Sequence, residues 1–253
     1  MTTVNRKGTM NAPTRSTRPV GVGMDGCKAG WFAIAWDGTP HGFTWRVLSS
    51  FDQVFEFVPA PKIVAVDIPI GLLDHAMPGG RDCDKAARRL LKDRASCVFS
   101  PPVRAALPAE SYRMALQANR ASSPHAIGIS AQCFGIVPKI REVDSAITPA
   151  TQDTVREIHP ELCFHAMNGG TPVASSKSKP EGRIARQILL VDNGFAYFLA
   201  GLAGTRVPDV AQDDILDACA ACWTARRILA NVAVQIPASP ITDSHGIRME
   251  MWY

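Results

Sequence analysis

Residues 20–31 read VGVGMDGCKAGW and pose the question on which the fold depends. An apolar run of this kind is typical of a buried β-strand, yet it ends on the carboxylate of Asp25. A buried carboxylate loses its hydration and needs a hydrogen-bond or charge partner. Asp25 is therefore either an ordinary turn residue at a strand end or part of a functional site.

The composition is that of a globular protein without a strong charge signature. The 253 residues are 46% hydrophobic and 20% charged, with a formal net charge of +4. Residues 1–19 hold no acid and four cations, which equal the whole net charge. We predict a disordered basic tail over 1–19 and a neutral body, so that binding of nucleic acid would depend on local basic patches.

Neither a secretory signal nor a membrane span is predicted. The tail lacks an apolar core, although its Ser, Thr and Arg content leaves an organelle transit peptide as a minor alternative. The longest uncharged run, residues 121–138, contains two prolines and several polar residues. The seven cysteines show no disulfide framework, which predicts reduced thiols and a cytoplasmic protein.

The order of the predicted elements indicates an α/β fold with a mixed sheet. Three short strands with tight connections predict an antiparallel meander, and a helical segment then leads into a buried fourth strand. A crossover of this kind makes the fourth strand parallel to its neighbour. The predicted strands are 20–25, 31–36, 43–48 and the run KIVAVDIPIGL from residue 62.

The second half of the chain is predicted to be mainly helical. Residues 78–145 show turns and helical spacing without strand alternation, which indicates a helical insertion after the fourth strand. Residues 155–162 are predicted as a fifth strand. Two helices follow, at 179–193 and 211–229, and we assign 20–253 to a single domain.

Acidic residues stand at the ends of several predicted elements. Asp25 and Asp67 each end a buried strand, and on adjacent strands their carboxylates would repel unless a cation lay between them. Asp214 and Asp217 are three residues apart and share one face of the last helix, although acids at a helix start also simply complement the dipole. Asp213 lies one turn from Asp217 as an alternative to Asp214. Few carboxylates with open positions suit Mg²⁺ or Mn²⁺.

Three further polar residues alternate along the predicted fifth strand. Glu157, His159 and Glu161 would point to one side, as a solvent-facing row or as an extra ligand and proton-transfer set. Glu157 is the strongest catalytic candidate of the three. His159 is a candidate for proton transfer, but Pro160 after it favours a structural role.

Basic residues form two groups at helical spacing and one isolated candidate. Either they are solvated helix surface or they contact substrate phosphates. The phosphate candidates are Arg81, Lys85, Arg88, Lys139, Lys177 and Arg183.

The remaining cysteines and aromatic residues are predicted to be structural. Cys219 and Cys222 form a C-x-x-C on the last helix without a second pair, which favours core packing over zinc. Cys27 is either a packed turn residue or a thiol that lines the site. The 7% aromatic content is predicted to lie in the core rather than on a base-stacking surface.

Several blocks together resemble a widespread prokaryotic family, domain-of-unknown-function family four-two-nine, described as predicted nucleases of the RNase H-like fold. They occur in the family's order between residue 20 and about residue 230: GVGMDGCKAGW, VAVDIPIGL, GRDCDKAARRLL, VFSPPVRAAL, FGIVPKIREVD, VREIHPELCFHAMNG, KPEGRIARQILL and DDILDA.

The resemblance implies three antiparallel strands followed by two parallel ones, with acids on the first strand, the fourth strand and the last helix. Asp25, Asp67, Asp214 and Asp217 match these places, and DDILDA is similar to the last helix of RuvC-type resolvases, which favours Asp214 over Asp213. Glu157 departs from the resolvase pattern. The implied chemistry is hydrolysis of phosphodiester bonds with two Mg²⁺ or Mn²⁺ ions about 4 Å apart, the carboxylates being ligands.

Two other functions remain open at this point. The MDGCKAG turn weakly resembles the first phosphate loop of the actin and sugar-kinase superfamily, but an ATP-binding protein of that type needs a second core. A non-catalytic module that binds nucleic acid or a nucleotide would keep the fold and hold at most a structural ion. The sequence does not distinguish DNA from RNA or a monomer from a homodimer.

Overall fold

The computed structural model describes residues 20–253, in which a five-stranded mixed sheet forms the centre. The strand order is β3-β2-β1-β4-β5; β1 to β3 are antiparallel, and β4 and β5 run parallel to β1. The five strands are β1 (Gly21–Cys27), β2 (Gly30–Trp36), β3 (Phe43–Leu48), β4 (Ile63–Val66) and β5 (Val155–Glu157). A separate two-stranded sheet is formed by β6 (Gln235–Ile236) and β7 (Met251–Trp252).

Eight α-helices lie within the described residues. The first four fall between β4 and β5, which confirms the predicted helical insertion: α1 (Asp82–Leu91), α2 (Tyr112–Ala121), α3 (Ala131–Gly135) and α4 (Val137–Ala146). The others follow β5: α5 (Pro160–Met167), α6 (Pro180–Leu190), α7 (Ala196–Leu202) and α8 (Gln212–Leu229). The chain thus has the mixed α/β arrangement that the RNase H-like resemblance implies.

Two predicted element boundaries differ from the structure. β1 does not end at Asp25 but continues to Cys27, paired with β2. The predicted fifth strand over 155–162 is wrong beyond Glu157, because α5 begins at Pro160. Proline lacks an N–H for the strand ladder and its fixed φ suits the first turn of a helix.

The last helix packs closely on the central strand, and this contact decides where its acids lie. A side chain on Gly23 of β1 would place its Cβ 2.0 Å from the backbone nitrogen of Cys222 and 2.4 Å from the carbonyl oxygen of Ala218. Because Gly23 has no side chain and the facing helix residues are small, α8 lies against β1. This brings the N-terminal turns of α8 to the end of the strand that carries Asp25.

The two faces of the sheet bury different residues. Val22 and Met24 of β1 pack with α4 and the 3₁₀ helix Phe51–Glu56 on one face. Alternate residues point to the other face, where α8 packs. Asp25 belongs to this second set, so its carboxylate is on the side of the sheet that α8 covers.

Two other expectations concern the chain as a whole. In residues 20–253, no helix combines the length and the apolar character needed to cross a membrane. The predicted basic tail over 1–19 lies outside the described residues.

Candidate functional site

Asp25 and Asp67 lie at matching positions on two adjacent parallel strands. The paired register of β1 and β4 ends at Met24 and Val66, and each aspartate is the next residue of its chain. The amide of Asp67 donates a hydrogen bond to the carbonyl of Met24 at 3.1 Å. Burial raises the pKa of Asp25, and the nearby charge of Asp67 raises it further.

The last helix contributes two more carboxylates. Asp217 is on the buried face of α8 and is 1% exposed. Asp214 lies one turn earlier, is half-buried, and accepts a hydrogen bond from the amide of Ala211 at 2.8 Å. Both raise the pKa of Asp25 through their charge, so acids from β1, β4 and α8 converge.

Lys177 supplies a positive charge inside this group. It lies in the loop before α6, and its Nζ donates to Oδ2 of Asp217 at 2.5 Å. The charges of Asp217, Asp67 and Asp25 raise its pKa against the effect of burial. The ammonium therefore partly neutralises a cluster that would otherwise be strongly acidic.

One ammonium is not enough to offset the burial of the acids. Burial raises the pKa of Asp25 well above its usual value, and the charges of Asp67, Asp217 and Asp214 add to the effect. Burial, opposed by Lys177, leaves the pKa of Asp67 at about 6, and burial likewise brings that of Asp217 to about 7. Neighbouring carboxylates with raised pKa values are stabilised in their ionised form by additional positive charge.

The donor set fits a hard divalent cation in its chemistry. The side chains of Asp25, Asp67, Asp214 and Asp217 offer only oxygen, which Mg²⁺ and Mn²⁺ prefer, and the adjoining cavity leaves room for water or phosphate oxygens. In the described part of the chain, no group of three or more His, Cys, Asp or Glu side chains is already arranged to hold a metal ion. The carboxylates are instead arranged around Lys177.

Glu157 and Arg81 were predicted as a catalytic acid and a phosphate contact, but they bind each other. Two guanidinium nitrogens of Arg81 donate to the two Glu157 oxygens, each at 2.7 Å, and a third ion-pair contact of 2.7 Å joins Arg81 to Asp84. Arg81 is 1% and Glu157 3% exposed. This buried network ties α1 to the end of β5, which favours a structural role for both residues.

His159 and Glu161 do not form a row with Glu157, and this part of the prediction is wrong because β5 ends at Glu157. His159 is the N-cap of α5: its Nδ1 accepts from the Glu161 amide at 3.2 Å, and its Nε2 lies 3.3 Å from the carbonyl of Cys97. Glu161 is bound by Arg186 at 2.7 Å. With both ring nitrogens engaged, His159 has no free nitrogen for proton transfer in this arrangement.

The other predicted phosphate contacts divide into two groups. Lys85 pairs with Asp82 at 3.1 Å on the surface. Arg88 donates to the Val98 carbonyl at 2.8 Å, and Arg183 lies near the Ser178 carbonyl at 3.3 Å. These three do not line the cavity beside the carboxylates, whereas Lys139 and Lys177 do.

Lys139 reaches the site across Gly26. A Cβ on Gly26 would lie 2.6 Å from Cδ of Lys139, so the lysine stem uses the space that the glycine leaves. Its Nζ donates to the carbonyl of Gly30 and lies 4.6 Å from the centre of the Trp31 ring. The ammonium is thereby held next to the strand that carries Asp25.

Asp25, Asp67 and Asp214 line a cavity of about 380 Å³. Its wall includes two residues that the sequence patterns did not single out, Arg94 and Phe99. Arg94 lies in the 3₁₀ helix Lys92–Cys97, which continues from α1 with a break in the helical pattern. The sequence does not indicate this break. In a continuous helix, Arg94 would lie on the same exposed surface as the other cations of α1.

Comparison with known proteins gives one match. Residues 23–242 match the family described as Protein of unknown function (DUF429). The chain belongs to the DUF429 family. No curated protein and no solved structure matches it.

The DUF429 region holds the four converging aspartates together with Lys177, Lys139, Arg94 and Phe99. Of the residues that line the cavity, Met251 of β7 lies outside the matched range. The C-terminal strand of this DUF429 protein thus closes part of the cavity wall.

The cysteines of this DUF429 protein are all free thiols. Cys219 and Cys222 are fully buried on α8, where they are part of the core. Cys27 is buried in the same core cluster, and burial raises the pKa of its thiol. A raised pKa keeps a thiol protonated and unreactive, so Cys27 is a packing residue in this arrangement.

Proposed function

We propose that this protein is a metal-dependent phosphodiesterase, and specifically a nuclease, of the RNase H-like fold. The observation that carries the proposal is the convergence of Asp25, Asp67 and Asp217 from β1, β4 and α8. Each of these carboxylates has a raised pKa, and Asp25 and Asp67 line an open cavity together with Asp214. A group of like charges held together at a cavity is a frequent feature of catalytic sites.

The residues divide into ligands and substrate contacts. Asp25, Asp67, Asp214 and Asp217 would hold Mg²⁺ or Mn²⁺. When bound, such ions lower the pKa of an attacking water and stabilise the leaving oxygen of a phosphodiester. Lys177 and Lys139 flank the carboxylates and would attract the substrate phosphate. Lys177, which donates to Asp217 in this structure, would donate to a phosphate oxygen of the substrate.

The cellular setting follows from the same proposal. Free thiols throughout the described chain support a reducing compartment, and we propose the cytoplasm. Nucleic acid is the proposed partner because phosphate is the group that the cations of the cavity suit.

The rival functions differ in what they require of the chain. An actin- or sugar-kinase-like protein needs two cores, and the described residues contain one five-stranded sheet. A non-catalytic module would bind nucleic acid without turnover. Activity therefore separates the proposal from the second rival.

The test is a panel of single-stranded and structured DNA and RNA incubated with Mg²⁺ or Mn²⁺. We expect cleavage of at least one substrate, inhibition by a chelator, and a loss of activity in Asp67→Asn. Asp213→Asn is the matched control, because Asp213 is an acid of the same helix turn that does not line the cavity. Cleavage that persists unchanged in Asp67→Asn would overturn the proposal, as would binding without cleavage.

A further inference from the structure

The wall of the cavity formed by residues 94–99 carries a cation, Arg94, whose side chain has no partner among residues 20–253. The guanidinium makes no hydrogen bond or ion pair with any described residue, and its Nε is buried without an acceptor. The neighbouring Arg81, Arg88 and Arg186 are all held by carboxylates or carbonyls. A guanidinium that lines a cavity with unused donors is suited to a planar anionic group such as phosphate.

An aromatic ring stands five residues further along the same wall. Phe99 lines the cavity, is only half-buried, and belongs to none of the buried clusters. None of the aromatic rings in residues 20–253 pairs with it. An unpaired aromatic face in a cavity offers a stacking surface for a base, and such stacking does not depend on base identity.

The size of the cavity limits what these two residues can contact. Its volume of about 380 Å³ is in the range of pockets that enclose one small molecule, roughly 300–1,000 Å³. A single nucleotide unit is of that size. In a duplex the base is stacked and paired, so its face could reach Phe99 only after leaving the helix.

We infer that the cavity is a subsite for one unpaired nucleotide unit, with Arg94 on a phosphate and Phe99 on the base. The inference rests on the proposed function in that it places the neighbouring phosphodiester at Asp25, Asp67 and Asp217. It names the substrate class as single-stranded nucleic acid, without preference for sequence. Arg94 and Phe99 are binding residues and take no part in the bond cleavage.

The test measures binding separately from cleavage. A fluorescent single-stranded oligonucleotide of ten thymidines is titrated with the full-length protein in the presence of Ca²⁺, which occupies oxygen sites but supports little two-ion hydrolysis. The same oligonucleotide annealed to its complement is the duplex probe. We expect the single strand to bind at least tenfold more tightly than the duplex.

Four variants test whether Arg94 and Phe99 bind the single strand. Arg94→Ala and Phe99→Leu should each weaken single-strand binding at least fivefold, while Arg94→Lys and Phe99→Tyr should restore part of it. Lys85→Ala, which removes a surface cation outside the cavity, is the control and should change nothing. Thermal unfolding of each variant shows that a loss of binding is not a loss of fold.

The outcomes separate this inference from the proposed function. Equal binding of duplex and single strand, or unchanged binding in Arg94→Ala and Phe99→Leu, overturns the subsite even if cleavage is observed. Single-strand binding that requires both residues, without cleavage in Mg²⁺ or Mn²⁺, supports the subsite and overturns the proposed function.

Discussion

Asp25 and Asp67 each follow the last paired residue of adjacent parallel strands, and this shared register brings their carboxylates together on the face that α8 covers. The pairing of Met24 with Val66 fixes the relationship in the backbone. Side chains at matching positions of parallel strands point to the same side. The site therefore depends on strand register, which a shift of one residue would destroy.

The first prediction concerns stability without metal. The folded-state pKa of Asp67 is raised to about 6 and that of Asp217 to about 7, so the native protein binds more protons than the unfolded chain above pH 4. The free energy of unfolding should fall as pH rises from about 4 to 7. Asp67→Asn should reduce this fall and be more stable than wild type at pH 8 by about 1–3 kcal/mol.

Urea unfolding at pH 4 and pH 8 in the presence of a chelator measures this. Asp153→Asn is the control, since Asp153 is exposed and ion pairs with Arg248 and Arg156 lower its pKa. Its substitution should leave the fall between the two pH values in place. A wild-type protein that is more stable at pH 8 than at pH 4 would contradict the prediction.

The second prediction tests how α8 is positioned. Gly23→Ala forces a methyl group into the backbone of α8 at Ala218 and Cys222, which should cost about 3 kcal/mol and move Asp217 away from Asp25. Gly21→Ala is the matched control on the same strand, because its Cβ would meet the flexible end of Leu229 at 3.2 Å. Chemical unfolding should show a small effect there, below about 1 kcal/mol. Equal effects of the two substitutions would argue against the close contact.

The third prediction separates structure from phosphate binding at Arg81. Because Arg81→Ala leaves Glu157 and Asp84 buried without their cation, it should destabilise the protein by about 3–5 kcal/mol. Lys85→Ala removes only a surface pair and should change stability by less than about 1 kcal/mol. If Arg81→Ala instead keeps wild-type stability and loses substrate binding, the phosphate contact predicted from the sequence is correct.

The fourth prediction concerns the ammonium within the carboxylate group. Lys177→Met removes a positive charge 2.5 Å from Asp217, so Mn²⁺ should bind more tightly, by about tenfold, because the ion no longer competes with the lysine. Turnover should nevertheless fall, since the proposed phosphate contact is lost. Mn²⁺ titration by calorimetry checks the first point. Weaker binding of Mn²⁺ by the variant would show that Lys177 helps to build the ion site.

Sequence patterns predicted most of the sheet and the final helix, because alternation and buried β-branched runs report local structure directly. They also identified Asp25, Asp67, Asp214 and Asp217 as a set. They also kept Glu157 as a catalytic candidate, since its partner Arg81 is 76 residues away in the sequence.

The failures have a common physical cause. The row of Glu157, His159 and Glu161 assumed a strand where Pro160 starts a helix. Arg94 was overlooked because the change from α-helix to 3₁₀ helix at Lys92 depends on a positive φ of 48° that no sequence pattern signals. Local periodicity does not report tertiary partners or irregular backbone.

The most direct test of the central claim is the rate of Mn²⁺-dependent phosphodiester cleavage by wild type and by Asp25→Asn on the same substrate. Loss of a metal ligand removes several kcal/mol of transition-state stabilisation, so the rate should fall at least about 100-fold while circular dichroism shows an unchanged fold. A rate that is the same in Asp25→Asn as in wild type would contradict the account.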